Sequence, residues 1–333
     1  MIFYDRSMHG RFAILQPFFF TVIITLISCS GRPSSQPVTE QHIDDHIASA
    51  YTWTKLADHG PWEKSYNFQM MSLRDTLWVF HPDGNWYSAD GINWMRSLLP
   101  NAINNLAFLD YVEFDGAIYG LGYFNGNIER YTQTSVITRT TDMRSWETIA
   151  NASELPQRFF YHPFVFQNKI WIIGGEDSDE QFSDIWNSPD GVHWKKEKED
   201  LPFGKRSNSQ VVELNGKLFL LNNDVWSSTD ALNWELVTEE IVPGEMIFGY
   251  AALVFDNRIW LLGCNRNGQF SSELLSSADG KTWVYEEAQW TPRGGIAATV
   301  HRNKIYMTGG KYGGTPDAPE FIYSNDVWMM ERK

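Results

Sequence analysis

Cysteine is almost missing: Cys29 and Cys264 are the only two in 333 residues. A fold stapled by disulfides is therefore excluded, and stability has to come from packing. Basic residues are also scarce, with 27 Lys and Arg against 41 Asp and Glu and a net charge of −14. Holding phosphates requires a clustered basic surface, so nucleic acid is excluded as a partner, and the acidic balance reads as solubility. The apolar run at residues 12–27 is broken by Gln16, Pro17 and two threonines, and it falls short of the roughly 20 apolar residues of a membrane helix. Apolar residues are nonetheless plentiful at 43%, too many for a disordered chain. Aromatics reach 15%, with 15 tryptophans, a bias that favours strands over helices. Length alone leaves open two average domains or one large repetitive β-domain.

The run at 12–27 follows Arg6 and Arg11 and ends in Leu26-Ile27-Ser28-Cys29. A basic start and a short apolar core suit a signal peptide, and Met8 is an alternative start with a tidier basic segment. The Leu-Ile-Ser-Cys ending resembles a bacterial lipobox. That resemblance implies cleavage before Cys29 and lipidation of its thiol, with an ordinary signal peptide or an uncleaved anchor as the alternatives. The expected division is a signal peptide at 1–28, the lipidated cysteine and a polar tether at 29–50, and a folded domain at 51–333. The expected location is extracytoplasmic, membrane-anchored only through the lipid. With Cys29 lipidated, Cys264 would have no partner for an internal disulfide.

From residue 51 the sequence repeats. Five segments share one pattern: Ser88-Ala-Asp90-Gly91-Ile-Asn-Trp94, Thr140-Thr-Asp142-Met-Arg-Ser-Trp146, Ser188-Pro-Asp190-Gly191-Val-His-Trp194, Ser228-Thr-Asp230-Ala-Leu-Asn-Trp234 and Ser277-Ala-Asp279-Gly280-Lys-Thr-Trp283. Successive tryptophans are 52, 48, 40 and 49 residues apart, and periods in this range indicate a propeller or an array. The motif predicts a tight turn between two strands, in which Ser/Thr and Asp bond turn amides and Gly accepts a positive φ. It resembles the Asp-box turn of several propeller families, one residue shorter between Asp and Trp. That resemblance implies a structural role.

Upstream of each turn lies an apolar strand after a polar hairpin, clearest at Asn168-Lys-Ile-Trp-Ile-Ile-Gly-Gly175, Asn257-Arg-Ile-Trp-Leu-Leu-Gly-Cys264 and Asn303-Lys-Ile-Tyr-Met-Thr-Gly-Gly310. Another strand precedes each, giving four per repeat. This order resembles the kelch repeat and the propeller of galactose oxidase over residues 51–333, and it implies fold rather than activity. No Gly-His or Trp-Asp signature of WD40 repeats recurs. Six such apolar strands face only five internal turns, and the chain ends near Asn325-Asp-Val-Trp328. The sixth outer strand is expected at residues 51–56, so the fold class is an all-β, six-bladed β-propeller in which an N-terminal strand closes the C-terminal blade and removes open edges.

Function is expected on the face carrying the loops between blades and the long hairpins. Arg158, Arg206 and Arg293 share one register there, where other repeats carry Ser65, Leu106 and Ile247. Three guanidiniums at a channel mouth could clamp a carboxylate or sulfate, or could serve blade packing. Tyr161, Tyr250, Arg266, Lys311 and Tyr312 complete the candidate ligand-binding set. No cofactor or metal is expected. Cys264, His81, His162, His193 and His301 occupy unlike positions, so the copper site of galactose oxidase does not carry over. The acidic run at 176–180 reads as a solvated loop, with calcium as the alternative. No catalytic residues are assigned. The leading reading is a monomeric binding module for a glycan or an extracellular protein. The alternative is a carbohydrate-active enzyme, either a sialidase-like hydrolase or a kelch-type sugar epimerase.

Overall fold

The computed structural model describes residues 50–102, 110–121, 137–149, 154–177, 179–315 and 317–333. The signal-peptide, Cys29 and tether expectations lie outside the described residues. The described chain forms six four-stranded antiparallel sheets, which are the blades of a six-bladed propeller. From the innermost strand outward, blade 1 is Gln69–Leu73, Thr76–His81, Gly84–Ser88 and Met95–Arg96. Blade 2 is Asp110–Phe114, Ala117–Leu121, Ile137–Thr140 and Glu147–Ile149. Blade 3 is Phe164–Phe166, Lys169–Ile173, Ile185–Ser188 and Lys195–Lys198. Blade 4 is Gln210–Leu214, Lys217–Leu221, Val225–Ser228 and Glu235–Thr238. Blade 5 is Ala251–Phe255, Arg258–Leu262, Glu273–Ser277 and Val284–Glu287. Blade 6 is Ala297–His301, Lys304–Thr308, Val327–Arg332 and, from the other end of the chain, Tyr51–Ala57.

Local chemistry sets each blade. The hairpins joining the first two strands turn on Arg74-Asp75, Asp115-Gly116, Gln167-Asn168, Asn215-Gly216, Asp256-Asn257 and Arg302-Asn303, with positive φ at both residues of every pair. Two left-handed residues make the turn whose twist matches the flanking strands, and Asn, Asp and Gly adopt it at least cost. The second strand of each blade is covered on both faces by neighbouring blades, which is why Lys169–Ile173 and Lys217–Leu221 are buried at four consecutive positions instead of alternating. One apolar cluster fills each of the six blade interfaces. Cys264 lies in the cluster between blades 4 and 5, and burial pushes its thiol up to about 12.

The outer turns follow the repeated motif. In blade 1, Asp90 Oδ1 accepts the amides of Ile92 and Asn93 at 2.9 and 2.8 Å, and Trp94 Nε1 donates to Gly91 O at 3.0 Å. The residue after each aspartate has a positive φ in all five turns, including Met143 and Ala231. At Gly191 the φ of +73° favours glycine and the space demands it, since a Cβ would lie 2.3 Å from the Tyr119 ring of the preceding blade.

Closure follows the expected scheme. Tyr51–Ala57 pairs antiparallel with Val327–Arg332, placing Trp53 opposite Met330 and Tyr51 opposite Arg332. Tyr51 donates its hydroxyl to Asp256 at 2.6 Å, and Trp53 meets Trp290 edge-on at 4.1 Å between centroids. The first strand thus bonds to blade 6 and packs on blade 5.

Candidate functional site

The three arginines of common register are blade-internal. Arg158 forms a paired bond with Asp184 at 2.5 and 3.0 Å and also donates to Gly174 O. Arg206 does the same with Asp224 at 2.8 and 3.1 Å, and Arg293 with Asp326 at 2.5 and 3.1 Å. Each aspartate also accepts the indole N–H of the tryptophan two residues on, Trp186, Trp226 or Trp328, at 2.7–2.8 Å. A repeated Arg–Asp–Trp unit therefore locks the interblade loop to the third strand. Blade 5 has Ile247 in place of the arginine and Glu273 at the aspartate position; there Arg266 reaches Glu273 from the hairpin and holds Glu245 at 2.6 and 2.8 Å. Of the two roles open to these arginines, anion clamp or blade packing, this geometry supports blade packing. Arg158 and Arg293 are 6% and 2% exposed, and a guanidinium already spanning a carboxylate has little left to offer a ligand.

The open space lies further along the chain. A cavity of about 580 Å³ occupies the mouth of the central channel, lined by all six blades. Four residues beyond the arginine register stand Gln69, Asp110, His162, Gln210, Ala251 and Ala297, one per blade, and every one lines this cavity. The two glutamines tie neighbouring blades: Gln69 bonds the backbone of Tyr111 in both directions, and Gln210 bonds Tyr250 O and the Ala252 amide. Asp110 and His162 face each other, with Oδ2 3.1 Å from Nδ1, and their side chains keep 25% and 37% of their surface exposed. Burial works against a charged His162, but the charge of Asp110 and its hydrogen bond outweigh it and raise the pKa above the usual imidazole value. The two alanines leave room on the opposite wall.

Two residues beyond the arginine register, backbone bonds run from blade to blade around the rim. Asn67 N–H donates to Gly295 O at 2.9 Å, Gly295 N–H to Gly249 O at 2.7 Å, and Asn208 N–H to Phe160 O at 2.7 Å. All five of these residues have positive φ. Asn67, Ser207 and Asn208 add polar groups to the lining, and Tyr66, Phe160, Phe248 and Phe270 add ring surface.

Among the described residues of this lining, Lys311 is the one Lys or Arg. Its Nζ sits 4.1 Å from the centroid of Tyr66 and 4.3 Å from that of Phe321, and loss of hydration lowers its pKa. Tyr250 also lines the cavity, although its hydroxyl is committed to Asn222 O at 2.6 Å. Of the residues singled out in the sequence, Tyr250 and Lys311 are thus brought to the cavity. Tyr161 is instead buried in the cluster between blades 2 and 3, and Tyr312 lies on the Lys311–Thr315 strand outside the lining. In the acidic run, Asp177 accepts the amides of Asp179 and Glu180, Glu180 pairs with Lys205, and Glu176 accepts from Gln181.

Asp110 and His162 give no signal in the sequence when histidines alone are compared, because those fall at unlike positions of the repeats. Counting on from the arginine register would have found both.

A family model described as the DUF6242 beta propeller domain matches residues 164–328, which run from blade 3 into the third strand of blade 6. No curated protein matches the chain. A solved structure titled "Structure of YjhT" superposes with a TM-score of 0.67 at 12% identity, covering 82% of this chain and 96% of that one. At that identity the likeness is one of fold, and it agrees with the strand order in making the chain a β-propeller.

Proposed function

We propose that this propeller is carbohydrate-active, taking a sugar unit into the channel mouth and acting on it through the Asp110–His162 pair. One observation carries the reading: equivalent positions of two adjacent blades place a carboxylate and an imidazole 3.1 Å apart on the wall of a 580 Å³ cavity. Cavities of roughly 300–1,000 Å³ suit small organic ligands. The polar groups of Asn67, Ser207 and Asn208 are suited to hydroxyls, and rings such as Phe160 and Phe248 to the apolar face of a pyranose. Asp110 orients His162 and favours its charged form, leaving Nε2 as the proton-transferring atom, and a pKa set by a carboxylate partner is how such sites are tuned. The expected lipid anchor at Cys29 would hold the domain at the cell envelope, where glycans are met.

The test is a thermal-shift screen of the protein against neutral, amino and acidic sugars, followed by NMR of each stabilising sugar after incubation. A ligand at about 100 times its Kd should add roughly 2.7 kcal/mol. A sugar that stabilises and is chemically altered, with the alteration lost in His162→Gln, supports the reading. Stabilisation without alteration reduces it to glycan binding. Absence of any response, with a protein partner found instead, overturns it.

A further inference from the structure

Two hairpins rise beside the channel mouth from blades 5 and 6. The first is a small sheet of Ile247–Phe248, Cys264–Arg266 and Gln269–Ser271; the second pairs Lys311–Thr315 with Ala318–Tyr323. They touch one another, and together they carry four of the exposed large apolar side chains: Met246 at 64%, Phe248 at 50%, Phe321 at 43% and Ile322 at 47%. Phe248 belongs at once to the cavity and to this lip. Phe321 lies over Gly314, where an added Cβ would come within 2.4 Å of the ring, so the glycine lets the ring rest on its own hairpin. Lys311 Nζ fills the space between Phe321 and Tyr66 and fixes the lip to the rim.

An exposed ring held in place on a hairpin costs little order to use and offers a face of the size of a sugar ring. From these placements we infer that the site takes the end of an oligosaccharide rather than a free monosaccharide. The terminal unit enters the cavity, and the next unit stacks on the lip formed by Phe321. The inference rests on the carbohydrate reading above. The occupant follows from continuity: Phe248 and Lys311 join the lip to the cavity, so a ligand leaving the cavity over blades 5 and 6 meets Phe321 next.

The test is isothermal titration of the whole protein with matched mono-, di- and tetrasaccharides of the cello-, chito-, malto- and xylo- series. In the series that binds, affinity should rise at least tenfold from mono- to disaccharide. Phe321→Ala should erase that gain, and Phe321→Trp should keep it. A monosaccharide that binds as tightly as its disaccharide, or a gain that survives Phe321→Ala, overturns the lip while leaving the cavity reading intact. If no member of any series binds, while melting curves show folded protein and the sugar screen above finds a monosaccharide ligand, the oligosaccharide inference falls alone. If that screen is also blank, both readings fall.

Discussion

Asp110 Oδ2 lies 3.1 Å from His162 Nδ1, and the two residues occupy the same register in neighbouring blades. The propeller brings together residues 52 positions apart in sequence because each repeat advances the chain by one blade. His162 is held above its usual pKa in spite of burial, so Asp110→Asn should bring its titration down, as read from imidazole NMR shifts against pH. The associated stability is fully present below about pH 6.5, the unfolded imidazole value, and is lost as pH rises through the higher folded value. In Asp110→Asn that dependence should flatten. An unchanged imidazole titration would show that the pair does not couple.

Arg293 and Asp326 test the blade-locking unit. Burial opposes the Asp326 carboxylate, but the Arg293 bond and charge prevail and hold its pKa below normal. Its contribution is present above the unfolded value and lost as pH falls through the folded one. Removing one partner of a buried pair costs about 3–5 kcal/mol. Arg293→Ala should therefore melt far earlier than the wild type at pH 7, whether or not a sugar is bound. Loss of sugar binding at unchanged melting temperature would return the arginine to the ligand site.

Closure rests on Trp53, 7% exposed and packed between blades 5 and 6. Trp53→Ala should cost about 3–5 kcal/mol. Deletion of 51–57 should cost more, since it also uncovers the outer edge of Val327–Arg332. Urea melts of the two variants give the comparison, and a deletion that melts like the wild type would show that the ring does not need its seal.

Glu286 is a cost built into the blade 5 to 6 interface. It is 8% exposed and sits opposite Leu274, its Oε1 has no hydrogen-bond partner among the described residues, and burial raises its pKa to about 7. The unfolded chain loses this proton at lower pH than the folded one. Stability from this group therefore falls as pH rises from about 4.5 to about 7. Glu286→Gln should melt several degrees higher than wild type at pH 8 and about equally at pH 4.

Gly191→Ala should lower the melting temperature by several degrees. It places a Cβ both in a left-handed turn and against the Tyr119 ring. Gly216→Ala, also at positive φ but with open space around the Cβ, should cost less, because only the backbone term remains. Equal losses would show that the Tyr119 contact yields freely.

Sequence alone determined the blade count, the turn chemistry and the closing strand. Those features rest on short-range signals repeated at a blade period: Asn, Asp and Gly in two-residue turns, an Asp four residues before a Trp, and apolar strands between them. It also marked Arg158, Arg206 and Arg293 as equivalent, but equivalence in register does not say which way a side chain faces. Only the folded blade shows that Asp184, Asp224 and Asp326, each one residue before the third strand, meet them. The cavity was decided the same way. Six residues from six repeats become neighbours only when the ring closes, and a site shared so widely leaves no contiguous motif to read.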